Sequence, residues 1–230
     1  MSGVRCIAFD FDGTLVQSNA IKRQSYYEIA RSLGDVTHVV DAVLAEVTGD
    51  RRHVLGEIVR RAKHEGLLRG GSDVDAWVTR LVDAYTARCE ELVSRCPEVP
   101  GARDALDALK RRGYALYVNS ATPTAALERI VGLRGLDVFF SGVFGSEGGK
   151  LKNLERVLEL ENVGPHGLVF VGDQQVDGDA AEAIGCHFIA VENDLSRFAR
   201  RPERPLADLT SLLRVVLALD GNREPKGAEA

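Results

Sequence analysis

In this sequence polar side chains with chemical potential stand directly behind short apolar runs. Asp10 and Asp12 follow the run at 4–9, in FDFDGTL, and Asp173 and Asp177 follow the run at 168–171, in VGDQQVDGD. Behind a third run, at 115–118, come Asn119, Ser120, Ala121 and Thr122, in YVNSATP. If these runs are adjacent parallel strands, carboxylates and a hydroxyl converge at one sheet edge, the edge where open parallel sheets bind ligands. Like charges within about 4–6 Å raise one another's pKa or demand a counter-charge. Asp10 and Asp12, one residue apart on a strand end, cannot both stand bare in a dry crevice. A hard divalent cation resolves the conflict, and Mg²⁺ requires only one or two carboxylates besides water and substrate oxygen. Zinc is not indicated, because none of the five histidines sits in an H-E-x-x-H or comparable pair.

The elements that must position these residues can be read from hydrophobic period. The three runs, and a fourth at 188–191, are nearly continuous and rich in β-branched and aromatic residues, as suits strands buried on both faces. Between them lie stripes of helical period: Ala102, Ala105, Leu106 and Leu109; Leu151, Leu154, Val157 and Leu158; Leu206, Leu209, Leu213 and Val216. Alternating strand and helix predicts an α/β domain with right-handed crossovers. The stretch 17–97 breaks this alternation and shows helical spacing alone, with Gly34, Gly49 and Gly70-Gly71-Ser72 dividing it into four helices. The expectation is a core of residues 1–16 and 98–220 with a helical bundle, 17–97, inserted after the first strand. Residues 96–101 form the return hinge, and the tail from Gly221, without an apolar anchor, is expected to be disordered.

Composition narrows the function classes. The chain has 230 residues, 45% hydrophobic and 27% charged, with a net charge of −5, which argues against a nonspecific nucleic-acid binder. No apolar run approaches the roughly 20 residues of a membrane span. Aspartates stand where a signal peptide needs its apolar stretch. Cys6, Cys89, Cys96 and Cys186 form no C-x-x-C pair and suit reduced thiols, so a cytoplasmic protein is expected, with neither nucleic acid nor membrane as partner. Phe144 stands where a P-loop needs glycine, Ile184 where a calcium loop needs glutamate, and no G-x-G-x-x-G follows the first strand.

These motifs, taken in order, resemble those of the haloacid dehalogenase-like (HAD) hydrolase superfamily, in particular its phosphoglycolate phosphatase and β-phosphoglucomutase-like members with a helical cap after the first motif. DFDGT at 10–14 resembles the first motif, Ser120 the second, Lys150 after GSEGG the third, and Gly172-Asp173 with Asp177 the fourth. The resemblance implies a Rossmann-like core with a mobile helical cap hinged near 16–19 and 97–101, and Mg²⁺-dependent hydrolysis of a small phosphate monoester. It implies Asp10 as nucleophile, forming an aspartyl-phosphate, and Asp12 as acid and then base. The metal set is Asp10, Asp173 and the carbonyl of Asp12. Ser120 and backbone N–H groups near Gly13 and Ala121 hold phosphoryl oxygens, with Asn119 beside them. Lys150 offsets their charge, steadied by Asp177. With Mg²⁺ present, these four aspartates and Lys150 leave one surplus negative charge, so Asp12 is expected to be protonated when a phosphate dianion enters.

Alternatives stay open at this stage. A phosphomutase needs the cap to hold a second phosphate, for which Arg51, Arg52 and His53 are candidates; those residues equally suit recognition of a single anionic group or a solvated helix turn. A non-catalytic phosphate binder has no need of a nucleophile beside an acid. Thr122 competes with Ser120 for the N-cap of a helix at 124–133, Lys152 is a rival to Lys150, Asn119 could simply stabilise its loop, and Trp77 and Tyr85 read as cap core.

Overall fold

A computed structural model describes residues 3–47, 49–68, 73–203 and 205–221. These fall into two compact units: the described residues up to Ser18 with those from Cys96 onward, and Asn19–Arg95.

The first unit is α/β. Its strands are β1 (Cys6–Phe9), β2 (Ala115–Asn119), β3 (Gly142–Phe144), β4 (Leu168–Gly172), β5 (His187–Val191) and β6 (Pro205–Leu206). They form one sheet in the order β3-β2-β1-β4-β5-β6, every neighbouring pair parallel. The inner strands β1 and β4 are buried throughout, which explains their unbroken apolar runs. The helices are α5 (Ala102–Arg111), α6 (Thr124–Leu133), α7 (Gly149–Glu161), α8 (Gln175–Ile184) and α9 (Leu212–Leu219), interleaved with the strands as the alternation predicts. The stripe Ala102, Ala105, Leu106 and Leu109 is the buried face of α5.

Register places the site. Phe9 is opposite both Val118 and Val171, so the residues immediately beyond them, Asp10, Asn119 and Gly172, emerge level across three adjacent strands. One step further stand Ser120 and Asp173. The order 2-1-4 makes β1 central, with polar chain ends on both sides.

The second unit holds α1 (Asn19–Ala30), α2 (Thr37–Glu46), α3 (Arg51–His64) and α4 (Val74–Val93), the four helices expected from spacing. Asp50 and Asp73 cap α3 and α4, accepting from His53 N–H and from the amides of Asp75 and Ala76. Val43, Leu55, Ile58, Val59, Leu81 and Tyr85 are buried in this unit. Trp77 is buried too, and the Tyr26 and Tyr85 rings lie 4.4 Å apart, so the reading of these aromatics as core holds.

Three details differ from the expectation. β3 and β6 are three and two residues long, too short to show any period. Leu206 belongs to β6 rather than to the helical stripe, which begins at Leu212 in α9. Leu151 is exposed, the buried face of α7 being Asn153, Leu154 and Val157. The Gly70-Gly71-Ser72 turn and the tail from 222 onward lie outside the described residues.

Candidate active site

The centre of the site is Asp10, buried one residue beyond β1, its N–H donating to the Val171 carbonyl at 2.8 Å. Its Oδ1 accepts from Lys150 Nζ at 2.5 Å. Lys150 reaches it from the first turn of α7 and is fixed at both ends. Its Nζ donates to the Asn119 carbonyl at 2.8 Å and lies 2.9 Å from Asp177 Oδ1, while its own carbonyl accepts from Asn119 Nδ2 at 2.9 Å. Asp177, on the first turn of α8, is also held by its Oδ2, which accepts from the Gln174 N–H at 3.1 Å. Asp173 Oδ2 accepts from Gln174 Nε2 at 2.8 Å and from Asn193 Nδ2 at 3.0 Å, and its Oδ1 has the Thr14 hydroxyl at 3.5 Å.

Electrostatics are severe here. Burial pushes the Asp10 carboxyl well above the usual carboxylate range, Lys150 pulls it back, and Asp177, Asp173 and Asp12 push it up again. Burial works against the charge of Lys150, yet Asp10 and Asp177 outweigh it and hold the ammonium above its ordinary value. Oxygens of Asp10, Asp173 and Asp177 all lie within 4.8 Å of one another. Three buried carboxylates thus share one ammonium, two more negative charges than positive among these four side chains. Hard oxygen donors carrying that excess fit a divalent cation of the Mg²⁺ kind.

Asp12 is treated differently. Its carboxyl is surrounded by hydroxyls: Ser18 donates to Oδ1 at 2.6 Å, and Thr122 and Ser120 reach Oδ2 at 3.2 and 3.5 Å. The tight turn that presents it is closed by Leu15 N–H and Val16 N–H, both donating to the Phe11 carbonyl, and depends on Gly13 at φ +81°.

The predicted residues Asp10, Asp12, Ser120, Lys150, Asp173 and Asp177 are therefore all brought to one edge, and all come from the α/β unit. Lys152 is exposed, which decides against it as the rival of Lys150. Several finer expectations need correction. The Gly13 N–H is spent on the Val16 carbonyl at 2.8 Å, so it is not the amide to hold a phosphoryl oxygen. The Asn119 side chain is committed to Lys150 and to Asn153, whose Nδ2 donates to Asn119 Oδ1 at 2.9 Å, so it braces the lysine instead of facing a ligand. Thr122 does not cap α6: Glu147 takes that place, accepting from the Thr124 N–H at 3.1 and 3.2 Å. Ala121 sits exposed in the bend after Ser120.

Arg51 and Arg52 lie on the first turn of α3, in the helical unit. Arg51 is buried, donating from Nη1 to Thr86 Oγ1 at 2.9 Å with its guanidinium 5.4 Å from the Tyr85 ring centre. Arg52 and His53 are exposed and line, with Asp50, Arg60 and Asp75, a cavity of about 340 Å³ in that unit. Sequence reasoning missed Thr14, Ser18, Gln174 and Asn193. Asn193 follows the fourth apolar run by two residues, so the same inspection of strand ends that found Asp173 was able to find it.

A parallel sheet with buried carboxylates and a lysine at its carboxyl edge places this chain among the open α/β folds that bind ligands at the carboxyl ends of their strands. A haloacid dehalogenase-like hydrolase family model matches residues 4–185. The chain belongs to that family of hydrolytic enzymes. It is 28% identical over 193 residues to a phosphoglycolate phosphatase of Yersinia pestis, covering 82% of this chain and 81% of that one. It is 27% identical over 184 residues to a phosphoserine phosphatase of Methanocaldococcus jannaschii, covering 74% and 77%. A Haemophilus somnus crystal structure described as a predicted phosphoglycolate phosphatase superposes with a TM-score of 0.76 at 24% identity, over 94% of this chain and 99% of that one. Among the described residues no helix is long and apolar enough to cross a membrane.

Proposed function

We propose that the chain hydrolyses a small phosphate monoester with Mg²⁺, through a phosphorylated Asp10. The observation that carries this reading is the separation of roles between two neighbouring carboxyls. Asp10 is buried against Lys150 Nζ at 2.5 Å and grouped with Asp173 and Asp177, as suits a nucleophile that must stay ionised. Asp12 is held among three hydroxyls, as suits a group that exchanges protons.

Asp10 attacks phosphorus and displaces the alkoxide, to which Asp12 delivers a proton; Asp12 then takes a proton from the water that cleaves the acyl phosphate. Splitting the hydrolysis this way replaces one difficult step by two easier ones. Lys150 bears against the negative charge gathered at Asp10, and Ser120 offers its hydroxyl to a phosphoryl oxygen. Asp10 and Asp173 would hold the cation, with the Asp12 carbonyl, and the cation would neutralise charge on the phosphoryl group. The names of the phosphoglycolate and phosphoserine phosphatase relatives support a small phosphorylated metabolite as substrate, and four cysteines outside any disulfide support a reducing, cytoplasmic setting.

The test is a panel of phosphorylated metabolites with Mg²⁺, read as released inorganic phosphate. Turnover that needs Mg²⁺ and falls on the order of 10³-fold or more in Asp10→Asn is the expected result. Undiminished activity in that variant overturns the mechanism, and isomerised product with little free phosphate replaces hydrolase by mutase.

A further inference from the structure

Beyond these roles, the geometry points to Asn193 as a positioning residue that, with Gln174, orients Asp173 toward the cation; this rests on the reading of Asp173 as a cation ligand. Asn193 stands two residues past the end of β5, on a loop that has no part in the nucleophile, acid or lysine functions. Its side-chain amide is fully committed. Oδ1 accepts from the Leu195 N–H at 2.9 Å, which fixes the amide's orientation, because only a carbonyl oxygen can accept there. Nδ2 must then point the other way, where it meets Asp173 Oδ2 at 3.0 Å and the Gly13 carbonyl at 3.4 Å. One amide thereby ties three strand ends together: the loop after β1 through Gly13, the loop after β4 through Asp173, and its own after β5.

Gln174 Nε2 donates to the same oxygen, Asp173 Oδ2, at 2.8 Å. Two amide donors on one oxygen turn the carboxylate about its own bond, so that Oδ2 is engaged by protein and Oδ1 is presented at the side of Thr14. A carboxylate whose rotation is arrested before a cation arrives loses less freedom on binding it. Partners of this kind are known to set metal affinity by about 10- to 100-fold. The Asn193 loop is itself steadied, its N–H donating to Ser196 Oγ at 3.1 Å, so the amide is delivered from a fixed turn.

The experiment is direct Mn²⁺ binding to the full chain, followed by electron paramagnetic resonance, in wild type, Asp173→Ala, Asn193→Ser and Gln174→Met. Serine keeps an acceptor for the turn N–H but cannot reach Asp173, and circular dichroism confirms that each variant is folded. The expected result is loss of binding in Asp173→Ala, with the Mn²⁺ dissociation constant raised about tenfold in Asn193→Ser and again by Gln174→Met. If Asn193→Ser does not fold, Gln174→Met alone carries the test. Tight binding retained in folded Asn193→Ser or in Gln174→Met, while Asp173→Ala loses it, overturns the inference and leaves the cation site standing. Failure of Asp173→Ala to weaken Mn²⁺ overturns both.

Discussion

Asp10 has to serve two conflicting needs: reactivity requires its anion, whereas the buried site that makes the anion reactive disfavours it. Burial raises its pKa, and Lys150 at 2.5 Å does not fully reverse the effect against three neighbouring aspartates. The sign follows. An acid whose pKa is raised on folding contributes stability that is complete below its unfolded value of about 3.9 and is lost as pH rises through the folded value. In cation-free buffer at neutral pH the folded protein therefore carries a cost at this position. Asp10→Asn, a neutral isostere, should raise the urea unfolding midpoint in EDTA, by about 1 kcal/mol of stability. Mg²⁺ should stabilise wild type more than the variant. An Asp10→Asn protein less stable than wild type in EDTA would contradict this account of the site's charge. Ser120 and Lys150 carry less information alone in the sequence than Asp10, Asp12 and Asp173. A serine or lysine has many uncharged or solvated uses, whereas close carboxylates oblige a partner.

At the scale of elements, the strand-to-helix junctions do the positioning. The β4–α8 junction is among the tight ones: a Cβ added at Gly172 would lie 2.5 Å from the Asp177 Cβ and 2.6 Å from its carboxyl carbon. Only glycine lets α8 begin so close to the strand end that Asp177 reaches Lys150. Gly172→Ala must push that helix start outward. It is expected to cost about 1–3 kcal/mol of stability by overpacking, and to raise the amount of Mg²⁺ needed for half-maximal activity because Asp173 is the next residue. An alanine variant with unchanged unfolding midpoint and Mg²⁺ dependence would show that the junction can give. This scale is also where the sequence was most and least legible. The four apolar runs and the four helices of Asn19–Arg95 declare themselves because burial on both faces leaves an unbroken run and burial of one helical face leaves a period. β3 and β6 declare nothing, since two or three residues hold no period and their pairing is imposed by neighbours already in place. Where each polar side chain turns is likewise set by the register of strands far apart in sequence. That is why Asn119 reads as a ligand from its position but folds as a brace for Lys150, and why Thr122 turns to Asp12 while Glu147 caps α6.

Across the whole molecule, buried thiols and phenols are held neutral by the fold. Cys6, fully buried in β1, has its thiol pushed up to about 12, first by burial and then by Glu161, and donates from Sγ to the Gly167 carbonyl at 3.6 Å. Cys186, packed against the same apolar cluster, is likewise raised to about 12 by burial. Burial also raises Cys89, Cys96, Tyr26 and Tyr85. Each is an acid whose folded value exceeds its unfolded one, so all pull in the same direction. Their stabilisation is complete below the unfolded thiol value of 9.0 and drains away as pH climbs toward 12. The unfolded chain releases these protons while the native chain cannot. For one thiol the loss is about 1.4 kcal/mol per pH unit once the unfolded form is ionised. Urea unfolding midpoints should therefore change little between about pH 7 and 8.5 and then fall steeply above pH 9. Growing negative charge on a chain already at −5 would pull the same way, and Cys6→Ala separates the two causes. If the buried thiol is responsible, the variant loses some stability at pH 7 but shows a shallower decline between pH 9 and 11 than wild type. Parallel declines in the two proteins would assign the alkaline loss to surface charge and leave Cys6 as packing alone.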